Sequence, residues 1–149
     1  MKTPASFSVR RASWQADRPA LRAIRQEVFV REQCVPEALE WDAFDAVSLH
    51  VVAEADGAAI GTGRLLPDGH IGRMAVLAPW RGRGVGSALF RALLEAAGQA
   101  GHAQVRLSAQ VQAVDFYRRF GFATEGPDYM EAGIAHIDMR RDLKPPAPG

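Results

Sequence analysis

Between residues 80 and 87 the chain reads Trp80-Arg81-Gly82-Arg83-Gly84-Val85-Gly86-Ser87. A glycine loop that opens a helix gathers unpaired backbone N–H groups at the positive end of the helix dipole. Such a place binds phosphate or another bulky anion. Gly82, Gly84 and Gly86 remove the Cβ atoms that would hold an anion off the backbone, and Arg81 and Arg83 add cationic side chains beside it. The loop is not a Walker loop, because Gly86 is followed by Ser87 and Ala88 and the lysine that reaches terminal phosphates is missing. A dinucleotide fingerprint read from Gly82 and Gly84 would put its third glycine at Ser87, which disfavours NAD. Other reactive side chains are dispersed. His50, His70 and His102 have no helical i,i+4 partner and no cysteine nearby, so no metal site is expected. Cys34 is the one cysteine, which excludes an internal disulfide and a Cys-rich zinc site, and no local signature makes it a nucleophile.

The elements that must position the loop follow from the hydrophobic pattern. Phe7 to Arg11 reads as an opening strand, and Asp17 with Pro19 near the first turn reads as the start of a helix. That helix carries Leu21, Ile24, Val28 and Phe29 as an apolar stripe and ends near Val30 to Glu32. From Gln33 to Val47 the pattern dissolves, and the favoured reading is a solvated loop with Trp41 and Phe44 as core anchors; the alternative has Trp41 and Phe44 lining a ligand pocket, with Glu37, Glu40, Asp42 or Asp45 attracting a cation. Leu49 to Ala53 and Ala58 to Leu66 form strands around an Asp56-Gly57 turn, and His70 to Leu77 completes an antiparallel meander. Helix Gly84 to Gly98, strand Ala103 to Ala109 and a short helix Gln112 to Arg119 follow. Phe122 to Glu125 and Ile134 to Arg141 pair as a last hairpin, separated by Gly126-Pro127 and by Glu131-Ala132-Gly133. Meander plus strand–helix–strand crossover predicts a three-layer α/β fold with a mixed sheet. One domain spans 1–143, and the tail 144–149 has nothing to bury and should be mobile. With 149 residues and a formal charge of +1, nothing general favours nucleic acid or an anionic membrane. No apolar run approaches the ~20 residues that cross a bilayer, and Met1 to Ser6 lack the apolar core of a signal peptide, so the cytoplasm is the expected address.

Arg81-Gly-Arg-Gly-Val-Gly86 resembles the Gln/Arg-x-x-Gly-x-Gly/Ala signature of the GCN5-related N-acetyltransferases. Gln110 to Phe122, with Ala113, Phe116-Tyr117 and Gly121-Phe122, resembles that family's second block, Asn-x-x-Ala-x-x-Leu-Tyr-x-x-x-Gly-Phe. Phe29-Val-Arg-Glu-Gln33 and Gly133-Ile-Ala-His136 are similar to its bacterial ElaA-like subgroup. The resemblance implies helices on both faces of the sheet, acetyl-CoA as acyl donor and a small-molecule or peptide amine as acceptor. It implies that strand His70 to Leu77 splays from its neighbour, so that backbone groups of Met74, Ala75 and Val76 hold the pantetheine arm and the Val76 N–H receives the oxyanion. Amides of Arg83, Gly84, Val85, Gly86 and Ser87, with Gly82 and the Arg81 and Arg83 side chains, would hold the pyrophosphate. Tyr117 becomes general acid to the departing thiolate, with Ala113 and Phe116 beside the cofactor. Gln110 stands where many relatives carry Asn, and its amide lies one methylene further out, a departure from the family's contact to the cofactor.

The base stays open among Glu27, Glu32, His136 and a water chain; a histidine suits the role because its ordinary pKa is near neutral. The last hairpin offers an edge for pairing across a dimer axis. The rival to direct acetyl transfer in a ternary complex is an acyl-CoA-binding or regulatory domain that keeps the fold without turnover.

Overall fold

The computed structural model describes residues 6–36 and 42–143. Among the described residues a seven-stranded mixed sheet runs in the order β1-β2-β3-β4-β5-β7-β6. Its members are β1 (Ser8–Ala12), β2 (Leu49–Ala55), β3 (Ala58–Leu65), β4 (His70–Val76), β5 (Gln104–Gln110), β6 (Ala123–Glu131) and β7 (Ile134–Asp142). Within it only β4 and β5 pair in parallel, which is the crossover expected around helix α2 (Val85–Gln99). Helix α1 (Trp14–Arg25) packs on β3 and β4 from the other face, and α3 (Val114–Arg118) follows β5. The last two strands invert in space: β7 inserts between β5 and β6 and leaves β6 at the edge.

Two apolar clusters fill the layers. Leu89, Phe90 and Leu93 of α2 lie against Val51, Ile60, Ile71, Val105 and Leu107 of the sheet. Ile24 and Val28 lie against Ala75 on the opposite face. Two strand glycines set the distance of α2: a Cβ at Gly61 would stand 2.9 Å from Leu89 Cδ1, and one at Gly63 2.8 Å from Leu93 Cδ1. Since β-strand side chains alternate, Thr62 and Arg64 must face the α1 layer.

Several local expectations change. Helix α1 starts at Trp14, ahead of both Asp17 and Pro19. Its cap is Ser13, whose hydroxyl accepts from the Ala16 N–H at 3.3 Å, while Asp17 reaches back to accept from the Ser13 N–H at 2.8 Å. The two side chains satisfy each other's neighbouring donors, so the helix opens at the serine and Pro19 falls inside it. Beyond Arg25 the chain continues as a π-helix, Gln26–Glu32, which ends where the apolar stripe does. In the following segment a 3₁₀ turn, Ala43–Val47, buries Asp45, while Phe44 is 52% exposed and is not a core anchor. Trp41, Glu37 and Glu40 lie outside the described residues, as does the tail 144–149. Gly126-Pro127 does not end β6. The register shift between Glu125 and Tyr129 absorbs Gly126, at φ +72°, and an edge strand tolerates the missing proline N–H.

Candidate active site

Strands β4 and β5 pair only at His70↔Arg106 and Ile71↔Leu107 and then part. On its other side β4 carries a register shift against β3 between Thr62 and Arg64, where Arg73 adopts φ +50°. A bulge of this kind bends a strand and re-aims its side chains. The gap opens into a cavity of about 690 Å³. Phe29, Gln33 and Val35 wall it from the α1 side, Ala113 and Tyr117 from the α3 side, and Glu131, Ile134 and His136 from the last hairpin.

The free edge of β4 faces this gap. Leu77 donates its N–H to the Ile60 carbonyl of β3 at 2.9 Å. Backbone groups alternate along a strand, so Ala75 also turns to β3, whereas Val76 turns to the open edge. Of the strand groups expected to meet a pantetheine arm, Ala75 is thus committed to the sheet, and Met74 and Val76 remain. Arg81 Nε already donates to the Val76 carbonyl at 2.9 Å, and its Nη2 pairs with Glu32 at 2.6 Å. Glu32 therefore stands at the glycine loop and is not among the residues lining the cavity.

The loop passes through a 3₁₀ turn, Ala78–Trp80, into α2, with Gly84 as its cap. Gly82 and Gly84 have φ +76° and +83°, and no atom lies within 4 Å of a Cβ built at either. The space above the loop is open, and no side chain caps α2, so the N–H groups of Val85, Gly86 and Ser87 have no partner within the helix. Val85 itself is buried in the core and offers only its backbone. Arg83 lies over the Trp80 ring at 5.1 Å. These features fit a diphosphate, with donors and room but no carboxylate among residues 81–87.

Tyr117 packs edge-on against Phe90 at 5.2 Å and Phe116 at 5.1 Å, and burial pushes its phenol up to about 12. Phe116 belongs to this aromatic cluster and does not line the cavity. Gln110 does line it, and both ends of its amide are engaged: Nε2 donates to Gln33 at 2.8 Å, and Oε1 accepts from Gln112 at 2.6 Å. His136 Nδ1 lies 2.7 Å from the Ile134 carbonyl. A carbonyl can only accept, so Nδ1 carries the hydrogen and the neutral ring leaves Nε2 as its acceptor. Nε2 is 3.9 Å from Glu131 Oε2.

Glu27 pairs instead with Arg31 at 2.8 Å. Asp42 and Asp45 are taken up by arginines and are not open to a substrate cation. Asp45 Oδ1 meets Arg25 at 2.7 Å and Arg64 at 2.9 Å, and Asp42 Oδ1 meets Arg64 at 2.8 Å. Arg64, Arg73, Gln33 and Glu131 line the cavity although neither type nor spacing had marked them as cavity residues. A signal existed only for Arg64, a charge at an inward position of a meander strand. Among the described residues no three His, Cys, Asp or Glu side chains cluster as metal ligands, and no helix is long and apolar enough to cross a membrane.

A mixed sheet with a splayed parallel pair, followed by an open glycine loop capping the crossover helix, defines the acyl-CoA N-acyltransferase class of α/β proteins. The chain belongs to the GNAT acetyltransferase family: the model of the acetyltransferase (GNAT) domain matches residues 14–143. YjcF of Bacillus subtilis, named an uncharacterized N-acetyltransferase, is 37% identical over 123 residues, covering 80% of this chain and 88% of its own. An acyl-CoA N-acyltransferase from Pseudomonas aeruginosa superposes with TM-score 0.83 at 34% identity, covering 91% of this chain and 99% of that one. Escherichia coli ElaA superposes equally well, with TM-score 0.83 at 27% identity, covering 92% of this chain and all of ElaA (100%).

Proposed function

We propose that the protein moves an acetyl group from acetyl-CoA to a primary amine of a small molecule or peptide by direct attack in a ternary complex. The observation that carries this reading is the open β4 edge at Val76, set between the glycine loop and a cavity holding Tyr117 and His136. Acetyl-CoA supplies the reactive thioester. Backbone N–H groups of residues 83–87 hold its diphosphate at the start of α2, and the Met74 and Val76 edge holds the pantetheine arm. The Val76 N–H is fixed by the strand before reaction begins, so it stabilises developing negative charge on the carbonyl oxygen without reorganising.

His136 acts as general base through Nε2. The Ile134 carbonyl fixes the tautomer, and Glu131 faces the positive charge that the ring acquires. Glu32, bound to Arg81, serves to hold that side chain against the end of β4. Tyr117 remains protonated at neutral pH and hydrogen-bonds the departing sulfur, giving up its proton as the thiolate leaves.

Free-thiol release from acetyl-CoA across polyamines, amino sugars, antibiotics, amino acids and peptide N-termini tests the reaction. CoA should raise the melting temperature more than ATP or NAD, since a ligand of the native state alone stabilises it. Stabilisation by CoA with no amine consumed would support the non-catalytic rival; no stabilisation by CoA overturns the reading altogether.

A further inference from the structure

Arg64 lies on the α1 face of β3 in the cavity wall, with a side chain 6% exposed. Its hydrogen bonds to Asp42 and Asp45 both start from Nη1. Nε is buried and has no hydrogen-bond partner. Among the described residues Nη2 meets no acceptor either. The Nε–Nη2 edge of a guanidinium is a planar fork that matches a carboxylate or phosphate with parallel hydrogen bonds. A buried donor without an acceptor costs free energy, so an empty fork in a cavity wall indicates a group that arrives with the ligand. On the next strand, Arg73 stands at the β4 bulge with φ +50° and lines the same cavity. Its Nη2 is 3.5 Å from Asp42 Oδ2, which aligns the two arginines on one carboxylate. This pair of arginines is separate from the glycine loop, which lies beyond the other end of β4 at the start of α2.

We infer that the amine acceptor carries an anionic group, a carboxylate or a phosphate, that docks on the Arg64 fork beside Arg73. Seated there, the acid tethers the acceptor at the α1 side of the gap, and its amine is directed to the β4–β5 opening where Tyr117 and His136 lie. Asp42 and Asp45 hold Arg64 from the Nη1 side, so the charge is retained and the fork stays oriented. The assignment rests on the acyl-transfer reading, because it makes the anion part of the acceptor.

The test uses the full chain with saturating CoA, so that the glycine loop is already filled. Thermal melts in CoA, and turnover with acetyl-CoA in its place, are compared for β-alanine, its neutral amide, phosphoethanolamine and ethanolamine. Each acid should bind about 10- to 100-fold more tightly than its neutral counterpart, the range expected of charge-assisted hydrogen bonds. The β-alanine and phosphoethanolamine arms decide between carboxylate and phosphate. Arg64→Lys keeps a charge for Asp45 but removes the fork, and should abolish most of that preference. Should Arg64→Lys fail to fold, the wild-type comparison of acid with amide decides alone. Protein stabilised by CoA that treats acid and amide alike overturns the anion seat and leaves the transferase standing. Protein indifferent to CoA that keeps an Arg64-dependent preference for acids overturns the transferase reading and leaves the seat.

Discussion

Tyr117 and His136 reach the cavity from different elements and by different physical means. The aromatic packing that fixes Tyr117 also desolvates it, and burial raises a phenol because the anion is the form that needs water. The neutral form therefore persists up to about pH 12, so the ratio of wild-type to Tyr117→Phe turnover should stay constant between about pH 6 and 10. We expect Tyr117→Phe to lower kcat by about 10²-fold with CoA affinity nearly unchanged, read by thiol release and by calorimetric titration. His136→Gln should lower kcat/KM by about 10²-fold, whereas Glu32→Gln should change it only a few-fold. The reverse order would move the base to Glu32. Paired assays at saturating acetyl-CoA decide the matter.

Among the elements, the junction of β4, the glycine loop and α2 matters most for the donor. Gly86 lies within the first turn of α2, outside the left-handed region, and its nearest outside atom to a built Cβ is Val76 Cγ2 at 4.0 Å. Gly86→Val therefore adds bulk between the start of α2 and the end of β4 without a forced backbone. Calorimetry should show CoA affinity reduced by about tenfold or more while the melting temperature shifts by only a few degrees. Gly84 differs: at φ +83° a side chain strains the backbone itself, so Gly84→Val would confound stability with binding. The same junction explains Arg81, whose Nε braces the Val76 carbonyl while Glu32 braces its other end.

Across the molecule, one buried ion cluster joins α1, the 3₁₀ turn and β3. Arg25 and Asp45 are 1% and 3% exposed, and His50 Nε2 donates to the Asp45 carbonyl at 2.8 Å while its ring stacks on Trp14. Burial by itself would raise the Asp45 carboxyl; Arg25 and Arg64 outweigh it and hold the group below the ordinary range. A depressed carboxylate pKa contributes stability above the unfolded value and loses it as pH falls through the folded one. Acid unfolding should thus steepen below about pH 4 in the wild type. Asp45→Asn removes the carboxylate charge that faces both buried arginines and should cost about 3–5 kcal/mol at neutral pH, measured by denaturant titration, with a weaker acid dependence.

Element order and the glycine loop are legible along the chain, because periodicity and glycine spacing are local properties, and the aromatic block is legible through its resemblance to a family motif. Leu89, Phe90 and Leu93 announce the buried face of α2 without any knowledge of what covers it. Where β4 and β5 separate is a matter of folding, since it depends on pairing partners far apart in the chain and on one bulge at Arg73. So is the question of which charges remain open. Asp42 and Asp45 look like solvated acids in a loop, and only the folded chain brings Arg25 and Arg64 against them, because ion pairing is set by distance in space and not by spacing along the sequence.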